Sequence, residues 1–486
     1  MLFLPALVIW LLVRKFDVTF VLGATLALGM GAVMFAKPEA ATLVTLFVMY
    51  ANLSVVAIYY HDVPQPLAAS FFMLFGIPLS SYLVIQRQML LTNRALFWML
   101  VYLAAMIASA IFSRDPAQSV ERVLGFFLEG IVLYFLILNT VRTPALLRKA
   151  TWTIIAAGVF MGSLSLYQSA TGDYTNSFGG MAQISNGMVN AEEAGGEADG
   201  RHRLCGPLGE QNRYAQVMVV LLPLAVSLAW TERSRKMRLL AALACMPILS
   251  AVLLTYSRGA FVSIVVAIAV MMYLHRTTIV PFLIVISVFG LLVTVTMPEY
   301  VYRITSMSGV SALAAGEEKD ADSSMRGRAT ENLAAINIFL DHPLLGAGPG
   351  QAKIYITAYG NEVGFKKLDG PRRAHSMYLE ELADTGLIGF AAFMAIALGT
   401  VQQLARIRRY WAQRRTDFGL VATGFLLAIV AYLCSATFLH LSYQRYFWLL
   451  LAMAGAAIEI LRPPVGELEA IHEEKIFPTA KKRPTD

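Results

Sequence analysis

Long apolar stretches separated by short basic loops run through most of this sequence, and they constrain its fold more than any other feature. A helix that crosses a bilayer needs about 20 apolar residues, and about 17 is the lower bound. Only 15% of the residues are charged, against about 25% in soluble domains. We therefore predict an all-α polytopic membrane protein with roughly 12–14 transmembrane helices. The candidate spans are Val18–Ala36, Ala40–Tyr60, Leu67–Ile85, Ala95–Phe112, Val120–Val141, Thr151–Ser169, Tyr214–Trp230, Leu239–Thr255, Ala260–Leu274, Thr278–Met297, Leu387–Ala405, Phe418–Phe438 and Tyr446–Leu461, and Met1–Val13 is a short further candidate.

The basic residues collect in alternate loops, which predicts how the spans are oriented. One set of loops holds Lys37, Arg87, Arg94, Arg142, Arg148, Lys149, Arg233, Arg235, Lys236, Arg238, Arg276, Arg406, Arg408, Arg409, Arg414 and Arg415. The opposite short loops hold Arg14, Lys15, Arg114, Arg258 and Arg445. Because Lys and Arg are enriched in cytoplasmic loops, we predict that the first set lies inside.

This orientation predicts the organisation of the chain, with two long loops on the outer face. Transmembrane helices are expected at 1–169, 214–297 and 387–461, outer loops at 170–213 and 298–386, and a cytoplasmic tail at 462–486. The second outer loop contains a predicted helix, Arg326–Asp341, which has an apolar residue at each turn and is ended by Pro343 and the glycines that follow. Loops of this length are often functional.

Arg258 lies between two apolar spans with almost no loop, in Ser257-Arg258-Gly259. A cation at membrane depth costs about 3 kcal/mol or more unless it is compensated. Either Arg258 reaches the membrane interface or a lipid headgroup, or it binds an anionic substrate, because the guanidinium fork matches phosphate geometry. Arg328, in the second outer loop, is a further arginine of this kind.

His375 stands where the second outer loop is predicted to re-enter the membrane. An imidazole titrates near neutral pH and can accept a proton from a hydroxyl nucleophile, although a lone histidine in a loop is more often simply exposed. A further polar cluster precedes the span that begins at Tyr214, and Arg203, Asn212 and Arg213 are possible substrate-binding residues within it.

Several functional classes find no support in the sequence. The three cysteines, Cys205, Cys245 and Cys434, are too far apart for a metal cluster, so neither a metal nor a cofactor is expected. The run Gly346–Gly350 lacks the lysine of a phosphate-binding loop and is expected to form a turn. Acids within spans are few, with Glu129 the main candidate, which disfavours a proton-coupled transporter. The net charge of +7 is accounted for by cytoplasmic loops and does not predict a nucleic-acid partner.

These clusters, in this order, resemble the O-antigen ligase and polymerase superfamily of bacterial envelope enzymes. The strongest match is Arg328, then Phe339–Gly350, then Ala374-His-Ser-Met-Tyr-Leu and the following Gly-Leu-Ile-Gly389. Arg203–Ala215 and Tyr256–Gly259 resemble the two upstream motifs, so the resemblance covers about residues 200–390. Asn332 stands where relatives often have tryptophan, and Ser376 where many have asparagine.

The resemblance implies a metal-independent, GT-C-like glycosyltransferase in the bacterial inner membrane. Members of the superfamily transfer glycans from undecaprenyl diphosphate on the periplasmic face, so the implied partners are this lipid-linked donor, a lipid A core or other glycan acceptor, and membrane lipids. Arg258 and Arg328 would hold the donor diphosphate, and His375 would act as the base on the acceptor hydroxyl. A ligase, a polymerase and a protein O-glycan ligase remain open, with the ligase favoured, and a polysaccharide or lipid transporter is the alternative of another class.

Overall fold

The computed structural model of the protein describes residues 37–65, 68, 70–185, 202–275, 287, 323–441 and 444–464. Its helices are α1 (Pro38–Tyr50), α2 (Leu53–His61), α3 (Arg94–Ile111), α4 (Pro116–Thr140), α5 (Pro144–Thr171), α6 (Gln211–Thr231), α7 (Arg235–Leu254), α8 (Arg258–His275), α9 (Ser323–Asp341), α10 (Ala352–Val363), α11 (Met377–Trp411), α12 (Thr416–Ser435) and α13 (Gln444–Ile460). A mixed helical segment covers Ser70–Phe75, Gly76–Ser80 and Ser81–Ile85, and two short strands, β1 (Gln183–Ile184) and β2 (Leu204–Gly206), pair antiparallel.

Within the described part of the chain, 8 helices are long and apolar enough to cross a membrane: α3 to α8, α11 and α12. This confirms the expected class, an all-α polytopic membrane protein. The helix predicted at Arg326–Asp341 is also confirmed, since α9 ends at the same residue. The predicted span Val18–Ala36, the span Thr278–Met297 apart from residue 287, the short candidate Met1–Val13 and most of the predicted tail lie outside the described residues.

One predicted span, Ala40–Tyr60, is broken. It is divided into α1 and α2, which meet at an angle of 57°. The break falls at Asn52, whose φ of 61° is left-handed and cannot continue a helix. The Asn52 side chain is buried and donates to the carbonyl of Pro207 at 2.7 Å. The sequence pattern missed this break because an asparagine in an apolar run does not by itself end a helix.

Two kinds of contact hold the helices together. Small residues allow close approach: a Cβ at Gly162 of α5 would lie 2.4 Å from the carbonyl oxygen of Pro247 in α7, so only glycine fits there. This is the way helices commonly pack inside membranes, where burial of apolar surface gives no driving force. At the centre, Tyr102, Phe126, Phe393 and Trp448 form a cluster of aromatic rings with centroids 4.9–5.9 Å apart.

The basic loops meet at one end of the helix bundle, which we call the Arg-rich face. Direct contacts join them: Arg142 donates to the carbonyl of Met89 at 3.0 Å, and Arg148 lies 2.8 Å from Glu232. Trp411 donates to the carbonyl of Leu461 at 2.8 Å. The loops that sequence analysis grouped by charge therefore share one end, so far as they lie within the described residues.

The opposite end carries α9 and α10, which we call the outer unit. It has a small core of its own, to which Ala335 of α9 and Ile356 of α10 belong. The chain around Gly346–Gly350 is hydrogen-bonded to a break in α11. The amide of Gly348 donates to the carbonyl of Asp384 at 3.0 Å, and the amide of Leu387 donates to the carbonyl of Pro343 at 2.9 Å. The run ends in a turn, in which the amide of Gln351 donates to the carbonyl of Gly348 at 3.0 Å.

The break in α11 lies at Gly386, with φ 62° and ψ −168°. This conformation is essentially restricted to glycine. A Cβ there would lie 2.4 Å from the carbonyl carbon of Leu344, so the backbone of the outer unit occupies the space that a side chain would need.

Candidate functional site

His375 directly precedes the first residues of α11, on the face opposite the Arg-rich face. Its neighbours in the chain fix its place: Ala374 is fully buried in the core of the outer unit, and the amide of Met377 donates to the carbonyl of Ala436 at 2.9 Å. The backbone on both sides of the histidine is therefore held by two different parts of the protein.

A carboxylate faces His375. Oε2 of Glu331, on α9, lies 3.1 Å from Nε2 of His375, within ion-pair distance although not aligned as a hydrogen bond. The Glu331 side chain is 5% exposed and the His375 side chain 33% exposed. Nδ1 of His375 is buried and has no hydrogen-bond partner among the described residues. If the carboxylate holds a proton on Nε2, Nδ1 is the nitrogen left to accept one.

The two arginines predicted to bind a diphosphate stand on different elements. Arg328 lies on α9, one turn before Glu331, and makes no hydrogen bond or ion pair with any described residue. Arg258 is the first residue of α8. A Cβ on the next residue, Gly259, would lie 3.1 Å from the ring of Phe438, in the segment 436–441 between α12 and α13.

The same segment brings a second histidine to the site. The ring of His440 lies 6.3 Å from that of His375, centroid to centroid. Burial lowers the pKa of His440 far below its usual range, and the nearby Arg213 and Arg373 lower it further. His440 is therefore neutral, and it stands beside three arginines, since Arg122 also contributes to the lowering.

Leu441 is held on both sides of its peptide. Its amide donates to Glu380 Oε2 at 2.9 Å, and its carbonyl accepts from Arg122 at 2.9 Å and from Arg373 at 3.4 Å. Arg373 also donates to Glu380 at 2.6 Å. The charged groups of this network fix the segment that carries His440 against the start of α11.

The polar cluster before α6 serves partly to join segments. Nε of Arg203 donates to the carbonyl of Thr255 at 2.9 Å, and its Nη2 lies 3.4 Å from Asn212. This contact brings the first motif next to the second, since Thr255 is three residues before Arg258. Arg213 differs: its side chain is 4% exposed, and its Nη2 has no hydrogen-bond partner among the described residues. Of these three residues, Arg213 retains a donor for an anion.

Sequence analysis singled out Glu129 as the main acid within the spans, and the structure adds three acids that are more deeply buried, at the start of α11. Glu129 is only partly buried, whereas Glu380, Glu381 and Asp384 of α11 are 2–3% exposed. Each of the three has a fixed partner: Glu380 binds Arg373, Glu381 accepts from the hydroxyl of Tyr102, and Asp384 accepts from the amides of Gly350 and Ala352 at 2.8 Å. Sequence analysis did not include these acids because α11 begins ten residues before the apolar stretch from Leu387.

Metal-ligating side chains are not grouped in the part of the chain that the structure describes: no set of three His, Cys, Asp or Glu residues there could hold an ion. Burial raises the pKa of the Cys205 thiol to about 12, so this cysteine is a neutral thiol and a poor ligand.

A comparison with protein families bears on these motifs. Residues 243–394 match the family model described as O-antigen ligase. This segment is similar to the O-antigen ligase family. A comparison with curated proteins gives no match. The resemblance seen in the sequence is thus confirmed at the level of the superfamily.

The matched segment contains Arg258, Arg328 and His375 but not Arg203, Asn212, Arg213 or His440. Sequence reasoning missed both Glu331 and His440. Glu331 had one detectable signal, since it follows Arg328 by one helical turn and therefore lies on the same side of α9. His440 had none, because only the tertiary fold brings the segment 436–441 to His375.

Proposed function

We propose that this chain is an O-antigen ligase-type glycosyltransferase. It moves a glycan from undecaprenyl diphosphate to an acceptor hydroxyl, a sugar of the lipid A core, at the periplasmic face of the bacterial inner membrane. The family match supports the general activity. The observation that carries the proposal is the facing pair His375 and Glu331, 3.1 Å apart, at the end of the bundle opposite the Arg-rich face.

In the proposed reaction, the acceptor hydroxyl oxygen attacks the anomeric carbon of the donor sugar. A new C–O bond forms, the bond from that carbon to the diphosphate breaks, and undecaprenyl diphosphate leaves with the bonding electrons. The hydroxyl proton passes to His375, and general-base assistance of this kind contributes about 10²–10⁴ in rate. Glu331 acts as a positioning residue: it orients the ring and stabilises the imidazolium that forms.

The arginines have the complementary role. Negative charge grows on the bridging oxygen of the diphosphate as the C–O bond breaks, and fixed guanidinium groups stabilise it without reorganisation. Arg258 and Arg328 are assigned to the donor diphosphate. Arg213 is a further candidate, because a buried guanidinium nitrogen without a protein acceptor is costly unless a ligand satisfies it. The energy comes from the activated donor, and no metal is required in this scheme.

A transporter is the alternative of another class, and the three buried acids of α11 are relevant to it. A proton-coupled transporter needs carboxylates that change partners or protonation during the cycle. Glu380, Glu381 and Asp384 are instead each committed to a contact that joins α11 to another segment. Their arrangement favours a fixed scaffold over a relay.

Glycan analysis of a deletion strain separates the members of the superfamily. For the proposed ligase, lipopolysaccharide should carry core without polymer, and lipid-linked polymer should accumulate. Single-repeat caps on the core would instead indicate a polymerase. Unchanged lipopolysaccharide together with loss of a glycoprotein would indicate a protein O-glycan ligase.

Variants of His375 test the site itself. His375→Gln keeps a hydrogen-bonding side chain of similar size but cannot accept the proton, so transfer should be abolished while the donor still binds. His342→Gln is the matched control, because His342 is an exposed histidine of the same outer unit. Full activity in His375→Gln, or equal loss in both variants, would remove the assigned role.

A further inference from the structure

A cavity of about 830 Å³ opens at the Arg-rich face, far from His375. It lies between the start of α3, the end of α11 and the end of α13. The charged residues that line it are Arg94, Arg406, Arg409, Arg414, Arg462 and Glu459. Ligand pockets commonly have volumes of about 300–1,000 Å³, so the space suits a bound molecule.

The residues that line this cavity carry more positive than negative charge, with five arginines and one glutamate. Glu459 is its one acid among the lining residues, and it is paired with Arg462 at 3.5 Å. Arg414 lies over the ring of Tyr410 at 4.3 Å. Arg94 and Arg406 make no hydrogen bond or ion pair with any residue that the structure describes. Enrichment of arginine in cytoplasmic loops explains basic residues on this face, but not their convergence on one cavity.

An apolar crevice continues from the same residues. A second cavity, of about 460 Å³, shares Arg94, Gln403 and Arg406 with the first and runs between α3 and α11. Beyond the arginines its walls are mainly apolar, and Trp98 and Leu398 line it. Both side chains are more than a third exposed, at 39% and 46%, as expected for residues that face lipid. A basic chamber joined to an apolar crevice matches an amphiphile with an anionic head.

We propose that this continuous cavity binds an anionic phospholipid, with its phosphate among Arg94, Arg406 and Arg409 and one acyl chain between α3 and α11. Basic pockets between transmembrane helices are known sites for anionic lipid headgroups. The bound lipid would join α3 to the C-terminal end of α11. His375 directly precedes the N-terminal end of the same helix. Neither the donor nor the acceptor of the proposed transferase is needed for this site.

Lipid titration of the full-length protein tests the proposal. Phosphatidylglycerol, or phosphatidylcholine with the same acyl chains, is added to protein in neutral detergent, and bound lipid is counted by native mass spectrometry. We expect the wild type to retain phosphatidylglycerol selectively. Each arginine near such a surface contributes roughly fivefold in affinity, so Arg94→Gln with Arg406→Gln should weaken binding about 25-fold.

Matched controls make the outcome specific. Arg233→Gln with Arg235→Gln removes the same charge from the same face outside the cavity and should leave binding unchanged. Ala395→Leu fills the crevice without changing charge and should also weaken phosphatidylglycerol binding. Monodisperse elution in size-exclusion chromatography confirms that each variant is folded.

Four results would overturn the proposal. Equal retention of the two lipids would show that binding is not selective for the anionic headgroup. An equal loss of phosphatidylglycerol binding in the control variant Arg233→Gln with Arg235→Gln would indicate a general attraction of anionic lipid to this face. Complete displacement of lipid by millimolar inorganic phosphate, together with unchanged phosphatidylglycerol binding in Ala395→Leu, would indicate a site for a free anion. Lipid binding that appears only after removal of 465–486 would assign the cavity to the acidic residues of that tail.

Discussion

Replacement of Glu331 by glutamine removes the charge that faces His375 while keeping the shape of the side chain. The two charged groups lie 3.1 Å apart when the imidazole is protonated. In water, Coulomb's law gives about 1.3 kcal/mol for unit charges at this separation, which corresponds to about tenfold in rate. Glu331 is 5% exposed, so the local dielectric constant is lower than that of water and the effect is larger. We expect Glu331→Gln to lower kcat about 10- to 100-fold.

The assay is transfer of glycan from a purified lipid-linked donor to acceptor in detergent, with kcat and KM measured separately. Because Glu331 is assigned to the imidazolium that forms during reaction, KM for the donor should change little. Glu331→Asp should recover part of the rate, since it keeps the carboxylate. Glu362→Gln is the control, an exposed glutamate of the same outer unit. A normal kcat in Glu331→Gln, or a loss that appears wholly in KM, would refute the positioning role.

The remaining predictions concern the donor site, metals, the helix break and orientation. Arg258→Lys should lose most activity, because a point charge does not replace a bidentate fork. Arg114→Lys, on the same face, is its control. Near-normal transfer by Arg258→Lys at matched expression would exclude Arg258 from the donor site. EDTA should leave the rate unchanged, and a loss restored by added Mg²⁺ would contradict the metal-free scheme. Gly386→Ala should destabilise the protein by about 1–3 kcal/mol from backbone strain alone, seen as a lower Tm in detergent, and an unchanged Tm would contradict this. In a chain without its native cysteines, membrane-impermeant reagent should label Cys at position 362 but not at 409 in spheroplasts, and the reverse would invert the orientation.

The fold class followed from the sequence because burial in lipid imposes a simple rule on composition and span length. The positions of the helix ends were harder to predict from the sequence. Sequence reasoning placed the last part of the second outer loop before Leu387, whereas α11 begins at Met377. The acids at 380, 381 and 384 lower the hydropathy of this first part, and only their partners in the fold explain how they are tolerated.

Part of the site could also be predicted from the sequence. His375 and Arg258 stand out because polar residues at membrane re-entry are unusual, and the motifs around them resemble a known superfamily. Glu331 and His440 do not stand out locally. Their importance depends on contacts across long sequence separations, such as the 6.3 Å between the rings of His440 and His375, and periodicity carries no information on these.

The core of the outer unit has a consequence for the order in which the chain assembles. Its buried residues include Ala335 and Ile356, but also Ala383, which belongs to α11. During synthesis the outer unit emerges before α11 is complete, so its core lacks one wall until that helix has entered the bilayer. Asp384 then fastens the amides of Gly350 and Ala352 from the same helix. Insertion of α11 therefore completes both the membrane bundle and the surroundings of His375, and the segment 323–376 cut from the chain would not be a self-sufficient folding unit.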